Sequence, residues 1–331
     1  MAKKDNSLDQ ALADIDKEWG TGSIFRMSES PELDIECVST GILPLDLALG
    51  ARRGLPRGRL TEIYGAQGAG KTTIVLMTLA EAQRQGHTCA FVDAEAALDP
   101  IYAAALGVDV DSLLISQPGT GEEAFYILEK LAQTNSVSFV GVDSVAALLP
   151  RAMIEGSYGD AFVGMHPKFM SQSLGKLKGI ANEGNMGVLF INQIRKSIGV
   201  TYGSGEYTPG GQALGFYASV RLDARRIETI KDADKNPLAN RTRVKVIKNK
   251  IGLPYRQCEF DLEYGIGVPP EGCLIDLALD LGLIVQKGAW FATDYGESLA
   301  QGREKLKEKL RTDRDLFDGL DKRVREAVDA V

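Results

Sequence analysis

Histidine and cysteine are scarce in this 331-residue chain, which has two of the first and four of the second. His87 and His166 are too few and too far apart for a histidine-based metal site, and both read as surface or loop residues. Cys37, Cys89, Cys258 and Cys273 form no C-x-x-C pair, which argues against a zinc ribbon and gives no disulfide framework. A reducing compartment suits them. No run approaches the roughly 18 apolar residues of a membrane span, and residues 1–6 lack the apolar stretch of a secretory signal. The expectation is a soluble cytoplasmic protein with no membrane partner. The net charge of −7 excludes a uniformly basic coat, so any polyanion site must be a local cluster.

What the sequence has in excess is glycine, 36 residues in an otherwise ordinary globular composition of 44% hydrophobic and 25% charged residues. The most informative of them lie in Gly65-Ala66-Gln67-Gly68-Ala69-Gly70-Lys71-Thr72-Thr73, set between the apolar run 60–64 and the helical run 74–85. Glycines at this spacing let successive backbone N–H groups curl around an anion, and the helix that follows aims its positive dipole end at the same point. Lys71 then reaches the outer phosphates of a nucleoside triphosphate, and Thr72 holds a magnesium ion. An ordinary glycine-rich turn is the plain alternative, disfavoured by the strand before it and the helix after it.

From about residue 35 to 268 short apolar strands alternate with helical stretches, the pattern of a mainly parallel sheet wrapped by helices. Strands are expected at 60–64, 89–93, 113–117, 139–143 and 188–193, with longer, antiparallel ones at 218–230, 241–249 and 257–263. Ahead of them lie a short helix over 7–18 capped by Ser7 and an extended segment at 24–27, an arm that needs something to dock on. Behind them, a helix over 273–281, a small strand pair near Ile284 and Trp290, and a charged helix over 299–310 read as a small C-terminal domain. Residues 199–211, polar and glycine-rich, read as a mobile loop.

Ligands of open α/β sheets gather at the carboxyl ends of the strands, where this chain has several polar side chains. Asp143 ends one strand and is placed to hold magnesium through its water shell. Glu95, just past another, is the best candidate to orient and polarise the water that attacks the γ-phosphate, with helix capping the alternative. Gln193, at the mouth of the mobile loop, is either a γ-phosphate sensor or an amide tying strand to loop. Basic residues cluster as well. Residues 165–178 carry Lys168, Lys176 and Lys178 with no acid, and residues 221–256 hold eleven Lys or Arg against four Asp or Glu. Lys248 and Lys250, two apart on an expected strand, are read as facing one side, so that together they act as an arginine finger if they meet a neighbour's nucleotide. A solvated strand face is the alternative.

Taken together these residues resemble the RecA family of bacterial recombination ATPases. The segments that carry the likeness are Ser39-Thr40-Gly41, Glu62-Ile63-Tyr64-Gly65, Gly70-Lys71-Thr72-Thr73, Phe91-Val92-Asp93-Ala94-Glu95 and Val142-Asp143-Ser144. Phe190-Ile191-Asn192-Gln193-Ile194-Arg195, Thr208-Pro209-Gly210-Gly211, Phe216-Tyr217-Ala218-Ser219 and Lys248-Asn249-Lys250 continue it. The resemblance implies a RecA-like α/β P-loop ATPase fold with three parts: an N-terminal oligomerisation arm (1–34), a core with DNA-binding loops (35–269) and a small α+β C-terminal domain (270–331). It implies ATP with Mg2+, a helical homo-oligomer on single-stranded DNA, pairing and strand exchange with double-stranded DNA, and hydrolysis for turnover. Tyr102 is expected on the adenine beside Asp99. Two loops, about 156–164 and 194–210, are expected to line the DNA channel, with Val163, Gly164, Met165, Lys168, Ser171, Arg195, Ile198, Thr208, Gly210 and Gly211 as contacts. Arg26 and Phe216 are expected in the subunit contact, Lys248 and Lys250 at the neighbour's ATP, and a LexA-type repressor is a conceivable further partner.

The chain departs from the family's usual pattern in the Ala66-Gln67-Gly68-Ala69 interior of the phosphate loop and at Ala96, Phe162, Gly175 and Gly215. It therefore reads as a divergent member whose catalytic residues are spared. A ring helicase motor of the same fold is the alternative, opposed by the paired loops and the arm. A non-hydrolysing, nucleotide-gated scaffold would not need Glu95, and a small-molecule phosphotransferase would need no basic stripe.

Overall fold

The computed structural model describes residues 2–24, 35–157, 160, 162–196, 205–231 and 234–329. They form two compact units, Met1–Ile35 and Glu36–Val331. In the first, α1 (Ala2–Trp19) starts before Ser7, so Ser7 is not its cap but lies inside it. Leu8 and Trp19 are exposed on this helix. The extended segment expected at 24–27 falls mostly outside the described residues.

The second unit opens with β1 (Cys37–Val38), α2 (Leu43–Leu49) and β2 (Leu55–Pro56), then enters the alternating core. That core runs β3 (Leu60–Gly65), α3 (Lys71–Arg84), β4 (Thr88–Asp93), α4 (Pro100–Ala105), β5 (Leu114–Ser116), α5 (Gly121–Gln133) and β6 (Val137–Asp143). A 3-10 turn (Val145–Ala147), α6 (Arg151–Ile154), α7 (Met165–Glu183) and β7 (Gly187–Gln193) follow. After the short pair β8 (Arg195–Lys196) and β9 (Glu206–Tyr207) comes α8 (Ala213–Tyr217), and then β10 (Val220–Lys231), β11 (Pro237–Asn249) and β12 (Gln257–Glu263).

Among the described residues, eight strands make one sheet in the order β12-β11-β10-β3-β7-β6-β4-β5. The five pairings from β10 to β5 are parallel. The two that join β10, β11 and β12 are antiparallel, as the longer strands predict. Side chains alternate between two apolar layers. Leu189 and Ile191 of β7 pack with Ile74, Leu76 and Leu79 of α3, while Val188 and Phe190 pack with Leu128 of α5 and Leu174 of α7. This period of two, with both faces covered, is why the strands read as continuous apolar runs. Because successive parallel strands end on the same edge, Gly65, Asp93, Asp143 and Gln193 are brought there together.

The last stretch consists of α9 (Pro270–Asp280), β13 (Ile284–Lys287), β14 (Trp290–Thr293), β15 (Ser298–Gln301), α10 (Arg303–Thr312) and α11 (Arg314–Asp329) around their own apolar cluster. Two expectations are corrected here. The small sheet has three strands rather than two, and residues 298–301 form its third strand, so the charged helix begins at Arg303. The added strand buries Leu299 in the cluster, a single apolar anchor too brief to announce a strand. His166 is corrected as well. It lies in the first turn of α7, half-buried, and burial lowers its pKa. No helix among the described residues is long and apolar enough to cross a membrane.

Candidate nucleotide site and the loops beside it

The phosphate loop joins β3 to α3 with Gly70 at the helix N-cap in the left-handed region, φ 82°. Glycine is required there twice over, since a Cβ would also stand 2.4 Å from Leu262 Cδ1. Residues 66–68 are exposed and the helix start points its free N–H groups into the same space, the arrangement that binds phosphate. Lys71 is 8% exposed and folds back along the loop, donating to Gly65 O at 3.1 Å and Ala66 O at 2.8 Å. Burial lowers its pKa, opposed by the carboxylates of Asp143 and Glu95.

A cavity of about 570 Å³ opens over this loop, bounded by Lys71, Thr72, Thr73, Glu95, Tyr102, Asp143 and Gln193. That volume is within the usual range for a small-molecule site. Thr72 Oγ1 donates to Asp143 Oδ2 at 2.7 Å, and burial raises the Asp143 pKa. The two supply hard oxygen donors side by side, the set that suits Mg2+ with phosphate oxygens and water completing the shell. No cluster of three or more His, Cys, Asp or Glu residues able to hold a metal occurs among the described residues.

Glu95 Oε1 accepts hydrogen bonds from Ser144 Oγ and, at 3.0 Å, from Gln193 Nε2. It stays exposed, which leaves a carboxylate free to meet water. Its neighbour Asp93, 2% exposed, braces the turn after β4 by accepting from Ala97 N, Leu98 N and Gln117 Nε2. Gln193 thus ties to Glu95 across the strand ends. Tyr102 hydrogen-bonds Thr73 Oγ1 at 2.7 Å at the cavity wall. Asp99 caps α4 through Ile101 N at 2.8 Å and is not part of that wall.

Sequence reasoning missed the opposite wall, formed by Arg226, Asn240, Leu262 and Tyr264 from the antiparallel strands and the turn after them. Arg226 Nη1 comes within 3.9 Å of where a Cβ on Gly68 would stand, so a guanidinium hangs over the phosphate loop. The parallel pairing of Ala224 with Gly65 puts it there, and only that register could have singled it out from the basic run.

The expected geometry of Lys248 and Lys250 is corrected. β11 ends at Asn249, so Lys250 lies past the strand and the argument from alternation does not reach it. Lys248 Nζ donates to Gly215 O at 2.8 Å and Phe216 O at 2.9 Å, and its pKa is lowered by burial and then by the charges of Lys250 and Arg221. Lys250 is exposed beyond the strand end, still close enough to act on Lys248.

The residues expected to meet DNA gather around the start of α7. Val163 is 96% exposed, Gly164 is the left-handed N-cap, Met165 begins the helix, and Lys168 and Ser171 are exposed on its next turns. Arg195 of β8 pairs with Tyr207 of β9, which leads into Thr208. Gly210 and Gly211 then pack against α7, since a Cβ on the first would meet Met170 Cγ at 3.3 Å and one on the second Pro167 Cβ at 3.0 Å. Phe216 is 70% exposed at the end of α8. Ile198 and Arg26 lie outside the described residues.

This arrangement agrees with the similarity of the chain to known proteins. The family model described as RecA N-terminal domain matches residues 6–269, and the RecA C-terminal domain matches residues 272–329. The chain is 52% identical over 328 residues to the RecA protein of Gluconacetobacter polyoxogenes, covering 99% of this chain and 93% of that one. It is 51% identical over 325 residues to that of Kineococcus radiotolerans (98% and 92% covered), and 48% identical over 325 residues to that of Clostridium novyi (98% and 92% covered). A phosphate loop, a Thr72–Asp143 pair and a Glu95–Gln193 pair on one sheet edge, with both domain models matched in order, place this chain in the RecA family of homologous recombination and strand-exchange proteins.

Proposed function

We propose that this chain is a DNA-dependent ATPase that hydrolyses ATP with Mg2+ at the cavity above residues 65–73 and uses that cycle to run a helical filament on DNA. The observation that carries this reading is the convergence of Lys71, Thr72, Asp143, Glu95 and Gln193 on one cavity. Glu95 takes the role of general base for the attacking water, with Gln193 and Ser144 both holding its Oε1. Lys71 neutralises the outer phosphates, the N-terminus of α3 supplies N–H donors, and Tyr102 receives the adenine, with Asp99 beside it holding the start of α4. When bound, Mg2+ supplies charge neutralisation on the phosphates, and Thr72 with Asp143 would hold it.

The exposure of Glu95 and of residues 66–68 supports a site completed by a second copy of the chain. Lys248 and Lys250 are the cations that copy would contribute, with Phe216 and Arg26 in the contact between copies. The three-part division into an arm (1–34), an ATPase core (35–269) and a C-terminal domain (270–331) belongs to this reading. Val163, Gly164, Met165, Lys168, Ser171, Arg195, Ile198, Thr208, Gly210 and Gly211 are the proposed contacts to single-stranded DNA, which pairs with a homologous duplex. A cytoplasmic location and a LexA-type repressor as a further partner complete the proposal.

The test is ATP turnover measured with and without single-stranded DNA, in the parent and in Lys71→Ala. Stimulation by DNA in the parent and loss of turnover in the variant are expected. Equal rates with and without DNA would overturn the recombinase reading in favour of a phosphotransferase or a scaffold.

A further inference from the structure

Five arginines lie on β10 and β11: Arg221, Arg225, Arg226, Arg241 and Arg243. Four of the five are paired with carboxylates of the same chain. Arg221 donates to Glu62 at 2.6 Å, and Arg225 donates to both oxygens of Glu206, at 3.0 and 2.7 Å, and to Asp223 at 2.6 Å. Arg241 holds Asp261 and Asp276, and Arg243 holds Glu259 at 2.8 Å. Arg226 is the exception. It is exposed, and among the described residues its guanidinium has no hydrogen bond, ion pair or ring contact.

Side-chain alternation explains where it points. Val220, Leu222 and Ala224 of β10 are buried in the apolar layer that α3 covers, and Arg226 is the next residue of that row. Ala224 pairs with Gly65, so the row runs out where the phosphate loop begins. Arg225, one residue back, falls on the other face with Glu206. Arg226 therefore stands over the loop, and it bounds the same cavity as Lys71, Thr72 and Glu95.

Charge gives this position a purpose. Among the described residues that bound the cavity, Lys71 and Arg226 are the cations, against the carboxylates of Asp93, Glu95 and Asp143. A nucleoside triphosphate adds further negative charge to that space, and Mg2+ at Thr72 and Asp143 offsets only part of it. A guanidinium suits the remainder, because its planar fork meets two phosphate oxygens at once and it stays charged wherever it is placed. Every other arginine of these two strands has a carboxylate. One left without a partner beside an anion cradle fits an anion that arrives with the ligand.

We propose that Arg226 is a phosphate-binding residue of this cavity, a cation from the same chain that grips the triphosphate on the side opposite Lys71. The proposal rests on the reading of the cavity as a nucleoside triphosphate site given above. Unlike Lys248 and Lys250, Arg226 needs no second copy of the chain to reach the ligand.

The experiment measures nucleotide affinity in the full chain with Mg2+ and without DNA. A fluorescent, non-hydrolysable ATP analogue is displaced by its unlabelled form or by AMP, which keeps the base and sugar but only the innermost phosphate. Arg226→Ala and Arg226→Gln are each expected to weaken the ATP analogue by about tenfold to a hundredfold, the scale of hydrogen bonds to a charged group, and AMP by no more than about threefold. Thermal midpoints without nucleotide should stay close to that of the parent. Unchanged affinity for the analogue in either folded variant overturns the proposal, and if affinity for single-stranded DNA falls instead, Arg226 belongs to a DNA-binding surface. Equal losses for the analogue and AMP also overturn it, because the side chain would then merely support the wall. A parent that binds no analogue would sink the reading of the cavity itself, whereas a parent that binds it beside unaffected variants removes Arg226 alone.

Discussion

Thr72 Oγ1 donates a 2.7 Å hydrogen bond to Asp143 Oδ2, joining the first turn of α3 to the end of β6. The residues are 71 positions apart, and the parallel order β3-β7-β6 brings them within reach. Burial raises the Asp143 pKa, which the Thr72 hydroxyl and the Lys71 charge oppose. If the pair holds Mg2+, Asp143→Asn should raise the Mg2+ concentration for half-maximal ATP turnover by about tenfold or more, the usual scale for disturbing a metal's supporting shell. Mg2+ titration of turnover at saturating ATP checks this, and an unchanged midpoint would rule out the assignment. The direction of the pKa shift adds that turnover falls on acidification, since the ionised carboxylate is the form that binds a cation.

Glu95→Gln separates chemistry from binding. The substitution keeps an oxygen able to accept from Ser144 and Gln193 but removes the base. Turnover is expected to fall by about 100- to 10,000-fold, the range for loss of general-base assistance, with affinities for ATP and for single-stranded DNA retained. Near-parental hydrolysis in this variant would mean that Glu95 is a structural tie and that another group activates the water.

How much of this was legible beforehand depended on whether the signal was local. The Gly65–Thr73 stretch, the strand-end carboxylates and the apolar runs are each written within a few residues, whereas the sheet order β12-β11-β10-β3-β7-β6-β4-β5 is not. Arg226 and Tyr264 at the cavity, and the buried Glu62 that accepts from Asn192 Nδ2 of β7 and Arg221 Nε of β10, depend on register between strands far apart in sequence, which no window of residues contains. The end of β11 at Asn249 is the same kind of miss, because an argument from alternation holds only while the strand continues. The resemblance pointed to functional residues and said nothing about what lies behind them.

Asp46 ties α2 to the segment before it, accepting from Ser39 Oγ at 2.5 Å, Thr40 N at 2.8 Å and Thr40 Oγ1 at 2.7 Å. Burial pushes its pKa up to about 6 from an ordinary 3.8, with the hydrogen bonds opposing. The folded chain therefore holds a proton that the unfolded chain has released between these two values. Its contribution to stability falls as pH rises through that window, by on the order of 2–3 kcal/mol, and is then constant. Denaturation midpoints of the parent and Asp46→Asn, taken from pH 4 to pH 7, should differ in slope by this one group, the variant gaining relative to the parent as pH rises. Parallel curves would show that burial does not shift the Asp46 pKa.

The C-terminal helices are fastened to the core sheet by charge as well as by apolar contact. Arg241 Nη1 of β11 donates to Asp261 at 2.9 Å and to Asp276 of α9 at 3.1 Å, and Arg303 Nη1 of α10 donates to the other oxygen of Asp276 at 2.5 Å. These groups are partly buried, with side chains 21% to 29% exposed for Asp276, Arg241 and Arg303. Asp276→Ala removes one carboxylate from two guanidinium groups, and a loss of about 1–3 kcal/mol is expected, as for hydrogen bonds to charged groups. Arg314 and Asp318 on α11 form an exposed pair at 3.3 Å, with side chains 73% and 63% exposed, and make the internal comparison. Asp318→Ala should cost only a few tenths of a kcal/mol, and that cost should vanish in high salt while most of the Asp276→Ala loss persists. Urea denaturation at low and high salt distinguishes them. Equal, salt-sensitive losses at both positions would mean that the Arg241–Asp276–Arg303 cluster is solvated in solution and does not fasten the C-terminal helices.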